Sequence, residues 1–457
     1  RLIALATAVG IAAVACTQDT STGPEALTDL SISAAVSDAG DSHGRYVIVF
    51  QKKVPRKAAQ IVADAGGELV GTLPEVGLGL ATSSDPSFAE SLRGVRAVHS
   101  VGVARFHALP ETEVYVSENG PTPADVGYFN YQWDIRRVKA DEAWNTTTGS
   151  HNTVVGIIDT GIAWNHPDLG PNVVYAACYS VFSACMPYPS LHWHGTHVAG
   201  TVAAAFGGGR AVGVGPDLGL ASYNVFEYVP DYGVVAFDWA IWMAMLDAAA
   251  QGFDVVNMSL GGYVVKPSSQ QDVAAWTAWN RIAHYVTRQG VTIVTSAGNA
   301  GVDLNGPVDH VPSDVTGVIS TGATGIRPDP FYPQAGSDDV RASYSNYGAA
   351  VTLSAPGGDA GPDAVSYPWW WYLVYSDYVV ADPSCAATAS CPVGHAWAGG
   401  TSQAAPHVAG AAGLVKDMHP GLNPHQVIKI LKQTAESLGN RQQFGHGMLD
   451  VNAAVNK

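Results

Sequence analysis

Between residues 154 and 418, short apolar runs rich in β-branched residues alternate with longer stretches of helical period, and this alternation limits the fold more than any other feature of the chain. Residues 154–158, 255–258 and 291–295 read as buried strands, and 197–205, 234–250, 271–289 and 401–418 as helices. Such an order gives a fold class of α/β, a three-layer domain whose mostly parallel sheet is doubly wound. Its ligands are expected at the carboxyl ends of the strands.

A smaller unit precedes it. Strands at 46–50, 78–81 and 95–101 and helices at 58–66 and 87–92 suit a small α+β domain over residues 45–105. Residues 17–44 are rich in Ser, Ala, Asp and Gly and read as a linker, and the polar, Pro-containing stretch 106–131 reads as a second one, with Gln132 opening the large domain. Residues 2–15 are continuously apolar, but 14 residues are too few to span a bilayer as a helix and suit the core of a signal peptide over 1–16. That segment closes on Ala13-Val14-Ala15-Cys16, which resembles a lipoprotein cleavage box. An exported chain is expected, either lipid-anchored through Cys16 or carrying an ordinary signal peptide and an incidental cysteine.

With 47% hydrophobic and 14% charged residues, the composition is that of a soluble globular protein. Charge is placed unevenly: residues 45–105 hold 8 basic and 5 acidic side chains, whereas the chain from 106 onward holds 14 and 29. A field of that sign disfavours nucleic acid and would attract a basic segment of the same chain. Beyond Cys16 the cysteines form two close pairs, Cys178 with Cys185 and Cys385 with Cys391, without neighbouring zinc-type ligands. Two short-loop disulfides are expected, with free buried thiols as the alternative.

Four pieces carry chemistry. The strand at 154–158 ends on Asp159, where a lone Asp would ordinarily cap a turn. His192-Trp193-His194-Gly195-Thr196-His197 opens a helix; the three histidines raise a metal reading, but the Glu that a zinc-protease helix uses as base is missing. Gly399-Gly400-Thr401-Ser402 delivers a serine to a helix N-terminus, whose unpaired N–H groups suit an oxyanion, although Thr-Ser there would also serve as a plain N-cap. The strand at 291–295 runs into Ala297-Gly298-Asn299, whose amide is a neutral oxyanion donor or a simple turn residue.

Taken together, in the order Asp159, His194, Asn299, Ser402, and with the motifs His194-Gly-Thr-His-Val-Ala-Gly200 and Gly400-Thr-Ser-Gln-Ala-Ala-Pro-His-Val-Ala-Gly410, the chain from Gln132 to Lys457 resembles the subtilisin-like serine proteases. The resemblance implies an endopeptidase that needs no cofactor for catalysis. It makes Ser402 the nucleophile, His194 the base, Asp159 its orienting partner and Asn299 an oxyanion donor. Ser259, Leu260 and Gly261 would pair a polypeptide substrate as an added strand, with Gly261 and Gly262 leaving room for large apolar side chains. Residues 45–105 are similar to the family's inhibitor-type propeptide, so the expected partners are polypeptide substrates and the chain's own propeptide. The maturation cut would fall between Phe106 and Gln132. A monomer is expected.

The chain departs from the family pattern at Gln403 and Ala405, beside the nucleophile. Phe206-Gly-Gly-Gly209 offers no side chain to the calcium that relatives often hold there, which leaves backbone carbonyls or other Asp-rich loops such as Asp338-Asp339 for a structural calcium. An insertion before Gly399 carries Trp369-Trp370-Trp371-Tyr372, either a local core beneath a long loop or an aromatic ledge beside the cleft. Rival readings are a non-catalytic binding module, an exopeptidase on the same scaffold, and a metallopeptidase built on His192, His194 and His197.

Overall fold

The apolar runs assemble into one sheet. Its order is Asp338–Arg341, Ile319–Arg327, Thr292–Ser296, Val255–Met258, Val154–Asp159, Gly219–Asn224 and Val173–Cys178, with Leu353–Pro356 also beside Ile319–Arg327. Every neighbouring pair is parallel except that of Asp338–Arg341. The structure is a computed structural model that describes residues 44–109, 113–116, 131–207, 210–230, 232–266, 269–327, 338–359 and 369–457. The apolar leader, Cys16 and the linker up to residue 43 lie outside the described residues.

From Val154–Asp159 the sheet first grows to one side, through Val173–Cys178 and Gly219–Asn224, and then to the other, through Val255–Met258 and beyond. Strand order therefore reverses at Asp159, and a crevice opens at the carboxyl end of a strand where such a reversal occurs. The helix Thr401–Met418 lies within the expected bounds and is buried at every position from Thr401 to Lys416. Its run of Ala, Gly and Val is what allows such close packing on all sides.

One expected element divides in two. The stretch read as a helix over 234–250 is a strand, Gly233–Phe237, followed by the helix Asp238–Gln251. Gly233 sits at φ +75°, Val234 and Val235 favour extended backbone, and Asp238 supplies the acidic first-turn residue at which the helix begins.

The N-terminal unit is a four-stranded antiparallel sheet in the order Glu68–Leu73, Leu78–Thr82, Arg45–Phe50, Val98–Val103, with helices Ala58–Asp64 and Phe88–Arg93. Glu68–Leu73 was not expected; it is an edge strand whose residues stay largely accessible, and Gly71 and Thr72 interrupt its apolar run. Tyr46-Val-Ile-Val-Phe50 is apolar on both faces because both are covered. Ile48 and Phe50 pack with Val62, Phe88 and Leu92 of the unit's own helices. Val47 and Val49, with Leu78 and Leu80, join a second cluster that includes Trp239, Trp242, Ala274 and Ala278 of the large domain.

The two domains thus share one apolar core. Polar locks accompany it: Arg281 Nη1 donates to the carbonyls of Phe50 at 2.7 Å and Val76 at 3.3 Å, Arg105 donates to the Tyr263 carbonyl, and Arg105 lies 3.9 Å from Asp272. The contact is held by burial of apolar area and not by the charge difference between the two parts of the chain. The stretch expected as linker after residue 105 contains two strands, Phe106–Ala108 against Val235–Phe237 and Glu113–Val116 against Val393–Gly399.

Both disulfides form, Cys178–Cys185 and Cys385–Cys391. Trp370 and Trp371 are partly buried against Tyr131, Leu373, Tyr375 and Trp397, which makes the aromatic insertion a local core. Asp339 is bound by Arg137, at 2.8 Å and 3.0 Å from Nε, so its carboxylate is already spent.

Val49→Asp places a carboxylate in the shared core while leaving Ile48 and Phe50 in the domain's own. The expected outcome in calorimetry of the full chain carrying Ser402→Ala is two unfolding transitions in place of one, the earlier belonging to residues 45–105. A single unshifted transition would mean the domains are not coupled through this face.

Candidate active site

Asp159 closes the central strand and is wholly buried, and His194 opens the helix His194–Ala203 across the crevice from it. Nδ1 of His194 lies 2.8 Å from Oδ1 and 3.0 Å from Oδ2 of Asp159. A carboxylate only accepts, so it fixes the proton on Nδ1 and leaves the lone pair on Nε2. That Nε2 is buried and has no hydrogen-bond partner among the described residues. The imidazole is oriented at one nitrogen and uncommitted at the other, which is the state a general base needs.

The neighbouring histidines do different work. Burial first, then the charge of His194, hold His192 down to about 4 against the pull of Asp159. His197 is fully buried, which lowers it to about 3, and its Nε2 donates to the Ala396 carbonyl at 3.2 Å. The three rings of this motif therefore point to separate partners and form no common ligand set.

Ser402 is the second residue of the buried helix, where its N–H belongs to the first turn that has no intrahelical acceptor. Pro406, four residues on, has no N–H to give back to the Ser402 carbonyl. Ser259 Oγ donates to that carbonyl instead, at 2.7 Å, while Ser402 Oγ donates to the Ser259 carbonyl at 3.2 Å. The proline thus ties the serine turn to the residue that follows Val255–Met258. Asn257 Nδ2, 3.0 Å from Ser259 Oγ, orients the hydroxyl.

Asn299 is anchored from the same turn. Its Oδ1 accepts from the Thr401 N–H at 2.9 Å and from Thr401 Oγ1 at 2.6 Å, which directs the Nδ2 end of the amide away from Thr401. Asp159, His194, Asn299 and Ser402 thus come from the ends of two strands and the starts of two helices packed on each other.

The strip Ser259-Leu260-Gly261 also stands at this crevice, with the Leu260 side chain buried in the core, so only its backbone faces outward. The room expected at Gly261 and Gly262 is filled. A Cβ on Gly261 would lie 2.4 Å from His310 Cε1, one on Gly298 3.0 Å from His310 Cδ2, and one on Gly262 2.5 Å from His107 Nδ1. His310 is fixed by Ser313 Oγ at 3.0 Å and by the edge of the Tyr263 ring, and burial, then the nearby His107, lower it to about 3.

Sequence reasoning missed three participants. Val235–Phe237 takes Phe106–Ala108 as an added antiparallel strand, with Ala236 opposite His107. Asp238, buried at the start of its helix, accepts from Trp279 Nε1 at 3.1 Å and lies 2.6 Å from His107 Nε2. His310 is the third. The run Gly233-Val234-Val235 was a legible strand signal; His310, far along the chain in an ordinary strand, left none.

The calcium question can be put to the donors present. Gln132 is bound at both ends of its amide by the backbone of Val212, and Asp168 Oδ2 accepts from the N–H groups of Arg210 and Ala211. These side-chain oxygens are thus engaged within the protein.

The family model of the Peptidase S8, subtilase family matches residues 150–447. Subtilisin DY of Bacillus licheniformis is 33% identical over 327 residues, 71% of this chain and 98% of its own. Subtilisin Savinase of Lederbergia lenta is 31% identical over 326 residues, again 71% and 98%. Among solved structures, the epidermin leader peptide processing serine protease of Staphylococcus aureus superposes with a TM-score of 0.69 at 21% identity, over 90% of this chain and 97% of that one. At that identity it speaks for the fold alone, and it does so across both domains.

Ser259→Ala would leave the Ser402 carbonyl buried without a donor, at a cost of about 1–3 kcal/mol. Denaturant unfolding of the full chain, compared throughout in a Ser402→Ala background that keeps it whole, should move to a lower midpoint by that amount, and Ser259→Thr, which keeps the hydroxyl, should recover most of it. An unchanged midpoint for Ser259→Ala would refute the link through Pro406.

Proposed function

The chain belongs to the subtilase family, and from that membership we propose that it is a secreted serine endopeptidase made as a self-processing zymogen. Subtilases cleave without a cofactor, so the chemistry rests on side chains. As Ser402 Oγ attacks the scissile carbonyl carbon, its proton passes to His194 Nε2, and Asp159 balances the charge that the imidazolium gains. The oxyanion is met by the Ser402 N–H and the Asn299 amide. His194 then hands its proton to the departing amine as the C–N bond breaks, which leaves an ester on Ser402. Water, deprotonated in turn by His194, frees the acid and restores the hydroxyl.

One observation carries the zymogen reading. Phe106–Ala108 is paired on the side of the crevice formed by Val235–Phe237 and Gly262, and Glu113 is paired with Gly399, three residues before Ser402. The two strands stand on either side of the nucleophile, so the bond offered to it falls in the stretch that joins Ala108 to Glu113. A cleft that takes a strand in on one side and out on the other is open at both ends. That supports internal cleavage over removal of terminal residues. Residues 45–105 then act as an inhibitor held by the shared core, with His107 seated on Asp238. Export is supported by the two disulfides and the apolar leader segment.

The residue that donates the scissile carbonyl would place its side chain between the Ser259–Gly261 strip and the Gly298-Asn299 turn, where the His310 ring already lies. A preference for small side chains at this position follows, in place of the large apolar ones expected from Gly261 and Gly262.

The first test compares the precursor with its Ser402→Ala form by mass spectrometry and by hydrolysis of an unstructured protein. The unsubstituted chain should shorten to a fragment beginning between residues 109 and 113 and digest the substrate, and Ser402→Ala should stay whole and inert. Equal behaviour of the two would overturn the assignment. The second test is His310→Gly. Relative kcat/KM for large over small residues at the cleaved position should rise about tenfold or more, since each buried methylene is worth roughly 1–3 kcal/mol in such a pocket. Unchanged selectivity would remove His310 from the pocket.

A further inference from the structure

Away from the triad, four titratable side chains converge inside the protein. His166 and Asp168 lie in the turn after the Asp159 strand, and Asp377 and His395 face each other across the hairpin Val374–Val379 and Val393–Gly399. Their donor atoms all lie within 4.8 Å of one another. Asp168 and Asp377 are wholly buried, His166 is 1% exposed and the His395 side chain 14%.

The carboxylates are poorly compensated. Neither oxygen of Asp377 has a hydrogen-bond partner among the described residues, nor does Oδ1 of Asp168. The nearest nitrogens to Asp377 Oδ1 are His395 Nε2 at 3.3 Å and His166 Nε2 at 3.7 Å. Asp168 Oδ2 accepts from His395 Nε2 at 3.0 Å and from the N–H groups of Arg210 at 3.2 Å and Ala211 at 3.3 Å. His166 Nε2 also touches the Gly394 carbonyl at 2.8 Å, and its Nδ1 accepts from the Asp168 N–H at 3.2 Å. Two adjacent carboxylates taken out of water cost several kcal/mol each unless a cation meets them. No lysine or arginine side chain is bonded to either among the described residues.

We propose that His166, Asp168, Asp377 and His395 form a structural binding site for one divalent cation of the zinc class. Two imidazole nitrogens and two carboxylate oxygens are a four-donor set of the borderline type that zinc takes, and its charge of +2 equals that of the two carboxylates. Calcium, which takes six to eight oxygens, is not matched by a set that is half nitrogen. The packing leaves little freedom for other arrangements. The His395 ring stacks on Tyr375 and meets His166 edge-on, and the space beside Asp377 Oδ2 exists because residue 200 is glycine, where a Cβ would lie 2.7 Å away. The ion would staple the turn that follows Asp159 to the strand that delivers Gly399, Gly400 and Ser402.

The test uses the full chain carrying Ser402→Ala, which keeps it intact, stripped with a chelator and titrated with zinc chloride by calorimetry, with metal content measured after dialysis. One zinc per chain should be retained and the unfolding temperature should rise with zinc but not with millimolar calcium. Asp377→Asn, which preserves volume, should weaken retention at least tenfold and abolish the thermal gain. Cobalt(II) on the chain without Asp377→Asn should give the intense visible bands of a tetrahedral ion, a readout that stands even where Asp377→Asn fails to fold. A folded chain that retains no zinc and shows no cobalt bands, or zinc held equally by Asp377→Asn, would overturn the site and leave protons on the histidines as the compensating charge.

Discussion

A proline near the start of a helix sets the geometry of this crevice. Because Pro406 cannot donate to the Ser402 carbonyl, that oxygen must find a donor outside its own helix, and it finds Ser259 Oγ. The helix is buried from Thr401 to Lys416, so an unmet carbonyl there would have no recourse to water. One backbone vacancy therefore locks the serine turn to the strand end that borders the cleft. Asn299 is locked to the same turn through Thr401. The serine turn, the strip after Val255–Met258 and the asparagine turn are held by bonds to one another, while Ser402 Oγ rests on the Ser259 carbonyl and His194 Nε2 has no hydrogen-bond partner among the described residues.

Buried imidazole–carboxylate pairs recur through the molecule, each used differently. Asp159 orients His194 and leaves its far nitrogen uncommitted. Asp134 holds His407, 3.0 Å away, and so ties the helix Trp133–Arg137 to the Ser402 helix. Asp238 grips His107 from the N-terminal side of the chain. Asp168 and Asp377 gather two histidines at once. What distinguishes these sites is what else reaches the carboxylate: backbone N–H and one ring at Asp159, an indole at Asp238, and no hydrogen bond from the described residues at Asp377.

Elements fixed by local pattern were legible in the sequence. Three central parallel strands, Val154–Asp159, Val255–Met258 and Thr292–Ser296, could be read from their apolar runs, whereas Val173–Cys178, Gly219–Asn224, Ile319–Arg327 and Leu353–Pro356 were not; the helix Thr401–Met418 was legible from its small-residue stretch between Gly400 and His419. The candidate catalytic residues were legible as motifs because each stands near a glycine or at a helix start. What escaped was set by contacts between distant segments. Glu68–Leu73 is a strand because Leu78–Thr82 offers an edge, and its own composition is weak. Gly261 and Gly262 promised space when read alone, and only the fold brings His310 and His107 into it. Charge counts suggested attraction between the two halves, yet the contact that forms is built on Val47, Val49 and the two tryptophans of the helix beneath.

On the self-processing proposed above, the pairing of Phe106–Ala108 and Glu113–Val116 with strands of the same chain would also set the order of the maturation reaction. A bond that a molecule presents to its own cleft does not wait for an encounter, so its hydrolysis would be first order and its half-time independent of dilution. A second molecule would meet a crevice whose strand Val235–Phe237 is already paired. The first cut would then be private to each chain, with bimolecular digestion left to molecules that have lost residues 45–105.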